Sequence, residues 1–254
     1  MLQTRAIPCL LKKGSSLVKT KQFGELQYIG DPVNTIQIFN NLAADEIIVL
    51  DITASVERRS PDLEFISQLT DECFMPFAYG GGVRTIDDMK RIFSLGVEKI
   101  IICSYAVESP QFIKDAALQF GNQSIIVSID VKKNFLGRYH VYTHSATIDT
   151  KRNPVDFAQE MERSGAGEIF LNSINNDGMM HGFDLELIND ISKVITIPLI
   201  ACGGAGTLAH IKQAIDAGAT AVAAGSLFVY QNGNRAVLIN YPERQELDAL
   251  FQNQ

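Results

Sequence analysis

Two Gly-Gly pairs, Gly81-Gly82 and Gly203-Gly204, each close an apolar run, and one apolar run later stand Ser104 and Gly225-Ser226. Glycine lets the main chain approach a ligand closely, and the helix start that follows adds unpaired N–H groups and a dipole that favours an anion. Gly81, Gly82 and Ser104 make one candidate phosphate site; Gly203, Gly204, Gly225 and Ser226 make a second. A lone Gly-Gly pair is as well explained by a tight turn. Two in corresponding positions, each with its serine, point to a small ligand with a phosphate at each end. Asp51 and Asp130 also end strongly apolar runs, where a carboxylate can serve as general acid or base. For Asp51, capping or supporting the next helix is an equal reading. Asn172-Ser173 with Asp177-Gly178 closes a further run with polar groups. Lys19, in a loop after the first run, has the charge and reach to meet a phosphate.

These residues need elements that bring them to one place. Short β-branched runs predict strands at 6–10, 46–50, 76–78, 99–102, 125–129, 168–171, 198–201 and 221–224. Most are apolar throughout, as buried parallel strands are. Helical patterns fall between them at 32–42, 61–71, 85–94, 110–120, 154–164, 184–194 and 207–217, with a last one at 242–251. Pro32, Pro61, Pro110 and Pro154 stand at or near helix starts, and Gly96, Gly165 and Gly218 just past helix ends. Residues 132–149, with an alternating stretch at 138–144, predict a hairpin inserted after the fifth strand.

The second half of the chain repeats the first at a distance of 122 residues. Without a gap, 75–107 lies over 197–229 with eight identities in 33 positions. About two would be expected by chance. The same shift lays Glu46-Ile47 over Glu168-Ile169. Eight alternating units in two related halves predict a (β/α)₈ barrel, the whole of 1–254 forming one domain. An open doubly wound sheet predicts no such repeat. In the barrel, the candidate phosphate, carboxylate and polar residues that close the apolar runs fall at the C-terminal ends of the strands, where such folds carry their chemistry.

Arg5, Glu46, Lys99 and Glu168 stand instead at strand starts, which places them at the opposite end. They form either a closed ring of alternating charge or four independent exposed charges, and spacing alone leaves both open.

A net charge of −7 and a pI near 5.1 argue against sequence-independent nucleic-acid binding, which needs a basic face. No apolar run approaches a membrane span, and the first residues lead into a strand without a signal-peptide core. Cys9, Cys73, Cys103 and Cys202 lack metal-ligand spacing, which predicts reduced thiols, a cytoplasmic setting and no metal.

Several segments resemble one family: RAIPCL at 5–10, GDPV at 30–33, ADE at 44–46, LDITAS at 50–55, GGGVR at 80–84, GAGEI at 165–169 and GGAG at 203–206. They are similar to the cyclase subunit of imidazole glycerol phosphate synthase, HisF. The resemblance implies a partner, a HisH-like glutaminase, whose ammonia enters the bottom of the barrel through the four-charge gate matched by Arg5, Glu46, Lys99 and Glu168. It implies no cofactor. It also implies a catalytic pair of aspartates. One matches Asp130; the other falls on Leu11, and leucine cannot move a proton. The phosphate-binding asparagine of the family falls on Cys103. With FVY at 228–230 and AVLINYP at 236–242, the chain looks like a HisF-related branch associated with surface-polysaccharide genes. That branch implies ammonia delivery to a sugar amidotransferase, an acetamidino group being formed during lipopolysaccharide synthesis. A true cyclase-lyase of histidine synthesis is the alternative, and Leu11 counts against it, as it does against a HisA-type isomerase.

Overall fold

The computed structural model describes residues 4–231 and 235–251. Met1, Leu2 and Gln3, expected to lead into the first strand, lie outside them. Eight parallel strands close on themselves: β1 (Arg5–Lys13), β2 (Ile47–Asp51), β3 (Phe77–Gly80), β4 (Lys99–Ile102), β5 (Ile125–Lys133), β6 (Glu168–Ser173), β7 (Leu199–Cys202) and β8 (Ala221–Ala224). Closure comes from β8 pairing with β1, Arg5 opposite Ala221 and Pro8 opposite Ala224. Helices α1 (Pro32–Asn41), α2 (Leu63–Thr70), α3 (Ile86–Ser94), α4 (Ser104–Glu108), α5 (Pro110–Phe120), α6 (Pro154–Arg163), α7 (Leu185–Ser192), α8 (Leu208–Asp216) and α9 (Ser226–Val229) lie between or after the strands, with α10 (Arg244–Phe251) last. The chain is a (β/α)₈ barrel.

The sequence repeat becomes a repeat of elements. Adding 122 to the bounds of β3, α3 and β4 gives those of β7, α8 and β8, and the starts of α4 and α9 correspond in the same way. Thr85 and Thr207 cap α3 and α8 through their side chains. Each copy makes the same strand-to-helix turn with the same capping residue.

Two apolar layers follow from strand alternation. Outward residues pack under the helices in one large cluster. Inward residues fill the lumen: Ile7, Ile48, Ile101, Ile126, Phe170 and Ile200, with Ala78, Ala221 and Ala223 between them. This apolar layer lies between the two ends of the barrel.

Three differences from the sequence reading have local causes. The chain after β1 is a hairpin, Ser16–Thr20 against Leu26–Gly30, so Lys19 lies on a strand and not in a loop. Residue 61 lies outside α2: Asp62 caps that helix by accepting from the Phe65 N–H, and Pro61 precedes the cap. The inserted hairpin after β5 forms as expected, Tyr139–Thr143 pairing back on the extended β5, and Ile148–Asp149 adds a third short strand.

Candidate functional site

The strand C-terminal ends surround a cavity that receives most of the sequence-selected residues: Leu11, Lys19, Asp51, Gly81, Gly82, Cys103, Ser104, Asp130, Asp177, Gly178, Gly203, Gly204, Gly225 and Ser226 all line it. Ser173 does not. Asn172 points into the barrel and its neighbour must point out, so the Ser173 hydroxyl bonds to Asn176 at 3.3 Å instead. The cavity also takes Cys9, Thr20, Phe23, Arg84, Ser145 and Cys202, which the sequence reading does not select. Cys9 and Cys202 share the inward parity of Leu11 and Gly80, so alternation carries that signal. Ser145 comes from the inserted hairpin, and its hydroxyl donates to the Ile52 carbonyl at 2.6 Å. Its reach across the cavity has no local signal.

The two Gly-Gly turns are built alike. All four glycines have positive φ, from 75° to 128°. A Cβ on Gly82 would come within 2.6 Å of the Arg59 carbonyl, and one on Gly204 within 2.0 Å of the Gly182 carbonyl. Backbone packing therefore requires glycine here with or without a ligand. The hydroxyls at the two sites differ. Ser104 Oγ accepts from the His144 N–H at 3.0 Å. Ser226 Oγ is buried and has no hydrogen-bond partner among the described residues. An unsatisfied buried hydroxyl at a cavity wall costs free energy that an anionic oxygen would recover.

Asp130 is half-buried where β5 meets β6, with Asn172 directly opposite it in register. Burial pushes its carboxyl up to about 6, against hydrogen bonds from Cys103, Asn172 and Ser128, while the Asp177 charge adds to the rise. The Cys103 thiol donates to Oδ2 at 3.4 Å. Burial first, then the Asp130 charge, holds that thiol well above its ordinary range. The site thus has a carboxyl group able to exchange a proton near neutrality. Across the barrel, on β1, Leu11 offers no counterpart.

Asp177 and Asp51 are occupied by structure. Asp177 accepts from Lys19 Nζ at 2.7 Å, the Thr20 hydroxyl at 2.6 Å and the Phe23 N–H at 3.4 Å. It clamps the first hairpin beside the cavity, with Phe23 on the lining. Asp51 accepts from the Thr53 and Ala54 N–H groups, each at 3.1 Å, which makes it the cap of its own turn. Burial opposes its charge, but Lys12, Thr53 and Arg59 outweigh burial and hold the carboxyl below the ordinary range.

Lys12 is 2% exposed, an unusual place for a lysine. Its ammonium meets Asp51 at 3.0 Å and Asp62 at 3.2 Å and lies over the Phe65 ring. The contact ties the end of β1 to the cap of α2. Replacing Lys12 with Met should cost about 3–5 kcal/mol, because a buried carboxylate loses its closest cation. Chemical denaturation measures this; a loss below about 1 kcal/mol would show that water replaces the pair.

At the other end, the four strand-start charges form a closed alternating ring. Arg5 reaches Glu46 at 2.5 Å and Glu168 at 2.8 Å, and Lys99 reaches Glu46 at 3.1 Å and Glu168 at 2.8 Å. A surface recess beside the ring is lined by Thr4, Arg5, Asp45, Glu98, Lys99 and Glu168, among others. Burial lowers the affinity of Arg5 for its proton, but bonding and attraction to Glu168 and Glu46 outweigh it.

Fold and site define a duplicated (β/α)₈ barrel with two like-built Gly-Gly turns on a cavity at one end and a charged ring at the other. The family described as histidine biosynthesis protein matches residues 5–234, and the chain belongs to it. It is 47% identical over 98% of its length to the "Putative imidazole glycerol phosphate synthase subunit hisF2" of Pseudomonas aeruginosa, covering 99% of that protein. It is 48% identical to the protein of Leptospira interrogans named "Putative imidazole glycerol phosphate synthase subunit HisF", covering 99% of this chain and all of that one (100%). The imidazole glycerol phosphate synthase subunit HisF of Streptococcus sanguinis is 39% identical, over 91% of this chain and 92% of that one. Within the family, the chain is a HisF homologue.

Proposed function

We propose that this chain is an ammonia-delivering subunit. It takes ammonia from a HisH-type glutaminase at the ring end, passes it through the lumen and supplies a separate sugar amidotransferase, which forms an acetamidino group in lipopolysaccharide or O-antigen synthesis. One observation carries the reading: the charged ring is complete while the strand-one member of the acid–base pair is Leu11. The ring excludes bulk solutes unless a side chain swings aside. The apolar lumen favours neutral ammonia over ammonium, because burying an unpaired charge there is costly. The Gly81–Gly82 and Gly203–Gly204 turns, with Ser104 and Ser226, remain fitted to a phosphorylated ligand. Asp130, near Cys103, is the one member of the family's acid–base pair matched here.

The test compares two nitrogen sources in an assay joining this chain, a HisH-type glutaminase and the sugar amidotransferase. Lys99→Ala opens the ring. It should change glutamine-dependent amidation several-fold and leave ammonium-dependent amidation near the unmodified rate. Equal effects on both would remove the ring from the delivery route.

A further inference from the structure

Phe74 lies in the turn between α2 and β3, at the ring end of the barrel. It is 85% exposed, while the nearby Phe65, Leu69 and Phe77 are buried. The turn is held with the phenyl group outward. Asn40 on α1 donates from Nδ2 to the Glu72 carbonyl at 2.6 Å and accepts from the Phe74 N–H at 3.1 Å. Gln37 adds a third tie, to the Glu72 carboxylate at 2.9 Å. An aromatic side chain on a fixed turn loses little further freedom on binding. Exposed Leu42 and Ala43 extend the apolar surface, and a shallow groove runs between Phe74 and Ala44.

The position also specifies an occupant. β3 lies between β2 and β4, the strands entered from Glu46 and Lys99. Phe74 stands three residues before β3 begins, so its turn lies at the same end of the barrel as the ring, outside it on the α1–α2 side. A partner that feeds the ring must seal its mouth, and an interface of about 800 Å² per side centred there would include the rim. Near this turn the acidic side chains are Asp45, Asp71, Glu72 and Glu98, and exposed Arg91 lies in the last turn of α3. Arg5 and Lys99 are engaged in the ring, and Arg244 is paired with Asp45 at 2.8 Å.

We propose that Phe74 is the docking anchor for the glutaminase, inserting into an apolar socket edged with Lys or Arg. This rests on the reading of the chain as a glutaminase-fed subunit. A rigid exposed aromatic that fills a socket and is desolvated there is a strong contributor to affinity, whereas surrounding acidic groups supply orientation and salt dependence.

The test is titration calorimetry with the HisH-type glutaminase of the same organism against four forms of the chain. Phe74→Ser should weaken binding about 30-fold or more. Asn40→Ala, which keeps the phenyl group and frees its turn, should weaken it by a smaller factor. Phe135→Ser removes a ring that is 95% exposed on the inserted hairpin at the other end of the barrel and should leave binding unchanged. Unmodified chain that binds while Phe74→Ser binds equally well would overturn the anchor and leave the glutaminase reading standing. No binding by the unmodified chain would overturn both. Self-association of the chain that Phe74→Ser abolishes would assign the face to a second copy and overturn the anchor.

Discussion

Expressed in a histidine auxotroph that lacks the cyclase, this chain is expected not to restore growth. The HisF reaction needs protons moved at two positions on a bisphosphate substrate, and the family resemblance assigns them to two carboxyl groups on opposite strands. Here β5 supplies Asp130 and β1 supplies Leu11. The strands face one another across the barrel, so Asp130 cannot serve both ends of a bound substrate. A positioned proton-transfer group contributes about 10² to 10⁴-fold, and a loss of at least that size is expected in imidazole glycerol phosphate formation from the ribulosyl substrate with excess ammonium. Excess ammonium removes any dependence on a glutaminase. Leu11→Asp should restore a trace of activity, since Leu11 already lines the cavity. Cys103, in place of the family's phosphate-binding asparagine, limits the recovery. Growth with the unmodified chain would return the protein to histidine biosynthesis.

Much of this site is legible in the sequence because its chemistry lies at strand ends, and a buried parallel strand announces both of its ends. The charges at 5, 46, 99 and 168 precede apolar runs in the sequence, and in the fold they meet as a ring. The repeat gives α3 and α8 corresponding positions because identical capping threonines impose identical starts. What is not legible depends on contacts distant in sequence or on side-chain parity. Ser173 reads as a ligand residue when a strand end is taken as a short stretch; alternation turns it away while Asn172 faces Asp130. Lys12 is buried because Asp51 and Asp62, far along the chain, converge on it, and nothing local to residues 12–13 announces that. Asp177 looks like a ligand residue, and the structure uses it to hold Lys19, Thr20 and Phe23. The hairpin carrying Lys19 has short strands and a polar turn, and its docking on Asp177 is nonlocal.

The combination of a largely desolvated carboxyl group and an absent partner has a thermodynamic consequence. Replacing Asp130 with Asn should stabilise the protein at about pH 7 by about 3 kcal/mol, the equivalent of the difference between about 6 in the fold and the ordinary 3.8. The sign follows from which state holds the proton more tightly. A carboxyl group raised in the fold binds its proton more strongly when folded than when unfolded. Its penalty is absent below the unfolded value of 3.8, grows as pH rises towards about 6, and is constant above that. The amide that replaces the carboxyl group in Asp130→Asn has no charge to bury, and it can use the Cys103 thiol and the unpartnered Asn172 Oδ1. Thermal unfolding at several pH values measures the difference between the two forms. The variant should melt about 6–12 °C higher near neutrality, and the two curves should converge at about pH 4. Asp51, whose carboxyl is lowered, titrates equally in both forms and cancels from the comparison. A variant less stable than the parent at neutral pH would show that the Asp130 carboxylate is stabilised by its surroundings.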